Sequence, residues 1–226
     1  TWEPALQNVS AVYISFYPDL AMPGAVKAIT QLTEMALKNG VQKLVLLSGR
    51  GEEEAQLCEQ VVMNAGLDWT IVRASWFCQN FSEGSFLEAV QAGHVALPAG
   101  DVGEPFIDAD DIADVAVSAL TKEGHRRKLY EVTGPRLLTF KEAVNEIAEA
   151  TGRPITFEQV PMEAYASILT EYGLPKDVVW LVTYLFTEVL DGRDAEIADG
   201  IQQALGRKPI DFSDYVKKAV ATGIWN

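Results

Sequence analysis

Cysteine and histidine are scarce, with two of each in 226 residues. Cys58 and Cys78 cannot form a disulfide framework, and with only His94 and His125 beside them they do not make a structural zinc site, so no metal is expected. A reducing, cytoplasmic setting follows as the expectation. Positive charge is short as well: 18 Lys and Arg stand against 32 Asp and Glu, and a formal charge of −14 repels nucleic-acid backbones and anionic headgroups. Direct nucleic-acid binding is disfavoured on that ground. The longest apolar stretch, Val178 through Phe186 to Leu190, already contains Glu188 and falls far short of the ~20 residues a bilayer span requires. A soluble protein is expected, and no signal-peptide pattern is visible.

A complete phosphate-binding glycine loop is also missing. Ser48-Gly49-Arg50-Gly51-Glu52-Glu53-Glu54 begins like G-x-G-x-x-G, but Glu54 stands where the third glycine belongs. Three carboxylates in a first helical turn suit the helix dipole and would repel a pyrophosphate, so the segment reads as a capped turn. A tyrosine four residues ahead of a lysine on one helical face lets the ammonium lower the phenol pKa and the phenol protonate a nascent alkoxide. Only Tyr172 and Lys176 have that spacing, and Gly173 and Pro175 between them break the register. Carbonyl reduction through this pair is therefore disfavoured.

What is present is ordinary globular material, 48% apolar and 22% charged, enough for a sizeable core. Strands are predicted near 11–16, 43–47, 69–73 and 129–133, with helical patterns at Gly24 to Lys38, Glu52 to Ala65 and Asp110 to Leu120 between them. Alternating strand and helix is the signature of βαβ units on a parallel sheet. From Leu138 onward the chain reads as mainly helical, with helices around Met162 to Tyr172, Asp177 to Leu190, Ala195 to Leu205 and Phe212 to Thr222, and a short β-like piece at Ile155 to Val160. The fold class is α/β, with residues 1–135 as the sheet domain and 136–226 as a smaller, mostly helical substrate or cap region. Thr1-Trp2-Glu3-Pro4 reads as the opening turn of a helix, Thr-capped and acidic, so further residues are expected upstream.

In such folds ligands sit at the carboxyl ends of the strands. Those ends are Phe16-Tyr17-Pro18, Ser48-Gly49-Arg50 and Ala74 to Asn80, the last with Trp76 and Phe77. Gln79 and Asn80 bring two amides to the same segment, suited to hydrogen bonds with a ligand or with the next loop. Cys78 has no histidine nearby in sequence to make it a thiolate. Asp108, Asp110 and Asp111 read as helix-capping acids, and His94 and His125 as solvated loop histidines. No catalytic residue is assigned.

Taken together, the KLVLLSG strand, Thr70-Ile71-Val72-Arg73 followed by Trp76-Phe77 and Gln79-Asn80-Phe81, PFIDADDIADVA, YEVTGP and the Phe212-Ser213-Asp214-Tyr215 helix resemble the NmrA-like branch of the atypical short-chain dehydrogenase/reductases. Arg73 to Phe81 is most similar to the R-P-[ST]-W-F-x-Q-N-F pattern of ergot-alkaloid-type reductases and their bacterial relatives, with Ala74 in place of the proline. The resemblance implies a Rossmann-like sheet and a cofactor, NADP or NAD. It implies hydride transfer to a small electrophilic acceptor such as an iminium ion, a quinone or a cationic conjugated compound. Phe16, Tyr17, Pro18, Ser48, Gly49, Ala74, Trp76 and Phe77 would then face the cofactor, and Trp76, Gln79 and Asn80 the substrate. The branch also contains redox sensors that bind dinucleotide without turnover and act through a protein partner. A small-molecule substrate and a protein partner or second copy are the implied partner classes. The family's glycine motif would lie on the order of 60 residues ahead of Thr1, with the first strands. A chain lacking them would be a cofactor-free remnant, the third reading.

Overall fold

Short continuous apolar runs become strands and amphipathic stretches become helices, in the order the periodicity predicts. The computed structural model describes residues 2–226. Its elements are helix α1 (Trp2–Ala5), strand β1 (Ala11–Ile14), α2 (Ala25–Lys38), β2 (Lys43–Gly49), α3 (Glu53–Met63), β3 (Asp68–Ala74), α4 (Leu87–Ala92), β4 (His94–Leu97), α5 (Ala109–Thr121), β5 (Lys128–Val132), α6 (Phe140–Thr151), β6 (Thr156–Gln159), α7 (Met162–Glu171), α8 (Lys176–Tyr184), α9 (Gly200–Leu205) and α10 (Phe212–Thr222). The expected Thr1 cap lies outside the described residues. Thr1–Ala74, Ile112–Val132 and Asp199–Arg207 make one unit; Ser75–Asp111, Thr133–Ala198 and Lys208–Asn226 make the other.

In the first unit, β1, β2, β3 and β5 form a four-stranded sheet in that order, every pair parallel. Leu44, Val45 and Leu46 of β2 and Ile71 and Val72 of β3 are completely buried. Runs apolar at every position are what a parallel sheet covered on both faces selects. Helix α2 buries Ala25, Ile29, Thr33 and Ala36, and α3 buries Ala55, Cys58 and Val62, both at helical spacing. The four predicted strands are thus found, parallel as expected. Strand β1 stops at Ile14.

His125 corrects the sequence reading. It is buried, with Nε2 3.0 Å from Ser118 Oγ and Nδ1 2.9 Å from the Tyr130 hydroxyl. Burial, helped by Lys122 and Lys43, lowers its pKa. The polar residues around it in sequence suggested solvent, but its ring partners come from α5 and β5. His94 is exposed, as expected.

The second unit packs α4, α6, α10 and the parallel pair β4–β6 around an aromatic core in which Phe81, Phe106, Phe140, Phe212 and Trp225 are each at most 2% exposed. Thr139 and Glu142 form a capping box at the start of α6. Arg136 grips Glu146 and Asp211, each through two bonds of 2.7–2.9 Å. The stretch after Arg73, where periodicity fades, holds a 3₁₀ turn at Cys78–Phe81 and then α4 and β4. The helix expected from Ala195 begins only at Gly200. Ala198 N donates instead to Thr133 Oγ1 at 3.0 Å, which holds that segment out of helical register.

Candidate functional site

Parallel strands place all their carboxyl ends on one edge of the sheet. In the first unit that edge carries Phe16, half-buried, and then Tyr17 and Pro18, which are exposed, Tyr17 to 92%. At the end of β2, Ser48 is buried and donates to Glu59 Oε1 at 2.7 Å. Glu59, 1% exposed, also takes Arg73 Nε at 2.9 Å and Nη2 at 2.5 Å, while Arg73 Nη1 reaches Glu131 at 2.8 Å. Ser48 therefore spends its proton on Glu59 and keeps its acceptor lone pairs. Gly49 and Ala74 are register partners, and Arg50 N donates to Ala74 O at 2.9 Å. Ser48, Gly49 and Ala74 are thus brought together at adjacent strand ends.

The turn after Gly49 departs from a side-chain-capped one. Glu52 occupies the N-cap position of α3 without a capping bond. Its carboxyl folds over Gly49, where any Cβ would collide with it. Burial, then the charge of Asp19, a hydrogen bond with it and the charges of Glu54 and Glu59 push the Glu52 pKa up to about 10. At neutral pH this carboxyl is protonated. Among the residues lining the edge, an exposed aromatic ring, a fixed hydroxyl and a glycine suit the nicotinamide and ribose end of a dinucleotide. The α3 N-terminus, bearing Glu53 and Glu54, does not suit its pyrophosphate.

In the second unit, Trp76 is half-buried among Phe140, Phe186 and Phe86, with ring centroids 5.2, 5.1 and 6.4 Å away. Phe77 forms a bridge with Ile107. Gln79 spends both ends of its amide on the next loop: Nε2 donates to Asp108 Oδ1 at 2.7 Å and Oε1 accepts from Ala109 N at 2.9 Å. Asn80 is half-buried, its backbone close against Gly84. Cys78 is wholly buried, and burial raises its thiol pKa well above the ordinary value. Asp108 caps α5, accepting from Asp110 N at 3.0 Å, and Asp111 accepts from Ile210 N at 2.7 Å. Both acids are buried, which their capping role alone did not foretell.

Tyr172 sits just past the end of α7, 81% exposed, and Lys176 opens α8 behind Pro175. The two residues lie on different helices. Among the described residues no group of three or more His, Cys, Asp and Glu could hold a metal ion, and no helix is long and apolar enough to cross a membrane. Sequence reasoning missed Asp19, Glu52 and Glu59. Consecutive glutamates carry no mark of which one turns inward.

Residues 52–215 match the NmrA-like family. An NAD(P)H azoreductase of Xenophilus azovorans is 29% identical over 210 residues, 88% of this chain and 73% of that protein. Festuclavine dehydrogenase of Aspergillus fumigatus is 29% identical over 227 residues, 96% of this chain and 76% of that one. In fold, the chain is similar to an NADPH-dependent quinone oxidoreductase from Escherichia coli solved with NADPH. That likeness has a TM-score of 0.81 and 19% identity and covers 96% of this chain and 79% of the other.

Proposed function

The chain belongs to the NmrA-like family, and from that premise we propose that it is an NAD(P)H-dependent reductase of small electrophilic acceptors: an iminium ion, a quinone or a cationic conjugated compound. The observation that carries this reading is the separation of Tyr172 and Lys176 onto two helices. A neutral ketone develops alkoxide charge that must be protonated or held by preorganised donors, whereas a cationic acceptor is neutralised by hydride itself. The azoreductase and clavine-dehydrogenase relatives support the same acceptor class.

The dinucleotide, when bound, supplies the hydride. Phe16, Tyr17, Pro18, Ser48, Gly49 and Ala74, at the strand ends of the first unit, are the residues proposed to bind it. Glu59 and Arg73 keep Ser48 in one orientation. Trp76, Gln79 and Asn80 are proposed for the substrate. Gln79 acts by fixing the 108–109 loop.

The test incubates the purified full-length protein with NADPH or NADH and a panel comprising a triphenylmethane dye, a quinone, an azo dye and a simple ketone, following loss of nicotinamide absorbance. The expected order puts cationic and quinone-like acceptors ahead of the ketone, with Tyr172→Phe and Lys176→Met close to wild type. Ketone reduction abolished by Tyr172→Phe would overturn the mechanism. Tight dinucleotide binding without turnover on the whole panel would favour a redox sensor, and no dinucleotide binding a cofactor-free role.

A further inference from the structure

Asp108 is 1% exposed, yet only one of its carboxylate oxygens is satisfied. Oδ1 accepts from Gln79 Nε2 and Asp110 N. Oδ2 has no hydrogen-bond partner among the described residues. Lys218 Nζ stands 3.9 Å from it, beyond hydrogen-bond reach, and leans to Asp110 Oδ2 at 3.3 Å. The hydroxyl of Tyr215, itself 4% exposed, likewise has no hydrogen bond of ordinary geometry among the described residues, with Ser82 beside it. Both residues line a cleft of about 250 Å³ in the second unit, together with Gln79, Glu83, Asp110 and Lys218.

A buried carboxylate oxygen without a donor is costly, and a cleft this size holds far more than the single water, at ~10–15 Å³, that could satisfy it. Three carboxylates (Glu83, Asp108 and Asp110) face one ammonium, so the cleft repels anions and is under-supplied with positive charge. A metal ion is a poor occupant, because no three such groups there have ligating geometry. Ala219 and Ile224 give the wall an apolar portion. We propose that this cleft binds a small organic cation, a primary ammonium or guanidinium compound, whose N–H donors complete Asp108 Oδ2 while its carbon skeleton lies against Ala219 and Ile224. Lys218, loosely held and 57% exposed, is the group the ligand displaces. Trp76, Phe77 and Asn80 do not line the cleft; Gln79, proposed above for the substrate, does, where its amide holds Asp108 Oδ1.

The test titrates the isotope-labelled full chain with methylguanidinium chloride, with sodium chloride at matched ionic strength as control, and follows the backbone amides by NMR. Saturable shifts confined to residues 79–83, 108–110 and 215–224 are expected from methylguanidinium alone. Asp108→Asn keeps the helix cap but removes the charge, and should weaken binding by about tenfold or more. Lys218→Met, an exposed substitution, removes the competing ammonium and should tighten binding several-fold. Shifts reproduced by sodium chloride, affinity unchanged in Asp108→Asn, or affinity unchanged or weakened in Lys218→Met would overturn the site. If Asp108→Asn fails to fold, Lys218→Met decides by itself. No turnover is read, so failure of the reductase assay does not touch this result.

Discussion

Replacing Arg73 with methionine isolates the network behind Ser48. Glu59 is 1% exposed and, among the described residues, Arg73 supplies two of the three side-chain hydrogen bonds it accepts, which leaves the Ser48 hydroxyl in the variant. Removing one partner of a buried ion pair costs about 3–5 kcal/mol, because the remaining charge is stranded in low dielectric. For a chain of this size about 2–4 °C of melting temperature accompanies each kcal/mol, which puts the expected drop at about 6–20 °C. Glu59→Met should cost less, since Arg73 keeps Glu131 at 2.8 Å and its own side chain is 17% exposed. The double variant should then be more stable than Arg73→Met alone, as replacing both charges removes the stranded one. Urea denaturation of the four proteins closes the cycle. An Arg73→Met cost under about 1 kcal/mol, or a double variant less stable than Arg73→Met, would refute the argument that Glu59 depends on Arg73 for its charge.

The other predictions concern buried groups and one close approach. Glu52 keeps its proton up to about pH 10, whereas an unfolded chain releases it above about 4.5, so this residue makes stability fall as pH rises through that window. Glu52→Gln should flatten the slope, by at most about 1.4 kcal/mol per pH unit, in denaturation midpoints taken across neutral to alkaline pH; an unchanged slope would discard the inward, neutral carboxyl. His125 has the opposite consequence: its lowered pKa means the unfolded state binds the proton first below 6.5, and stability is lost as pH falls through the folded value. His125→Gln should reduce that acid-side loss, and an identical profile would show that the ring is not buried neutral. Gly134→Ala places a Cβ into the backbone carbonyl of Phe106, where Gly134 N already binds Pro105 O at 2.9 Å. A loss of about 1–3 kcal/mol is expected by thermal denaturation, and wild-type stability would mean the two segments are not held together.

The strands were legible because the two faces of a parallel sheet are both covered, so Leu44 to Leu46 and Ile71-Val72 read as uninterrupted apolar runs. Helix α6 announced itself through Thr139 and Glu142, a local signal three residues apart. Residues 78–97 carried no period, since a 3₁₀ turn, a six-residue helix and a four-residue strand are each too short to show one. Their positions are fixed by tertiary contacts: Cys78 N donates to Ile107 O at 2.8 Å and Trp225 Nε1 to Phe81 O at 2.8 Å. His125 was misread for the same reason. The strand-end residues of the first unit were found from topology, but the acids beneath them were not, because burial of a carboxylate depends on partners distant in sequence, such as Asp19 for Glu52 and Arg73 for Glu59.

The net charge of −14 says little about that strand edge. Of its acids, Glu52 is neutral at pH 7, and Glu59 and Glu131 are matched by Arg73 and by Arg50, whose Nε lies 3.5 Å from Glu131. Asp19 and the first-turn Glu53 and Glu54 of α3 are the other acids there. Two carboxylates in the first turn of a helix oppose a phosphate where the dipole would otherwise favour one. The same arrangement tolerates a positively charged partner. The run of three glutamates thus divides by burial: Glu52 turns inward over Gly49 and is held neutral, Glu53 is exposed, and Glu54 is half-buried with one carboxylate oxygen out of solvent. The turn resembles a phosphate loop in its glycines and opposes one in its charge.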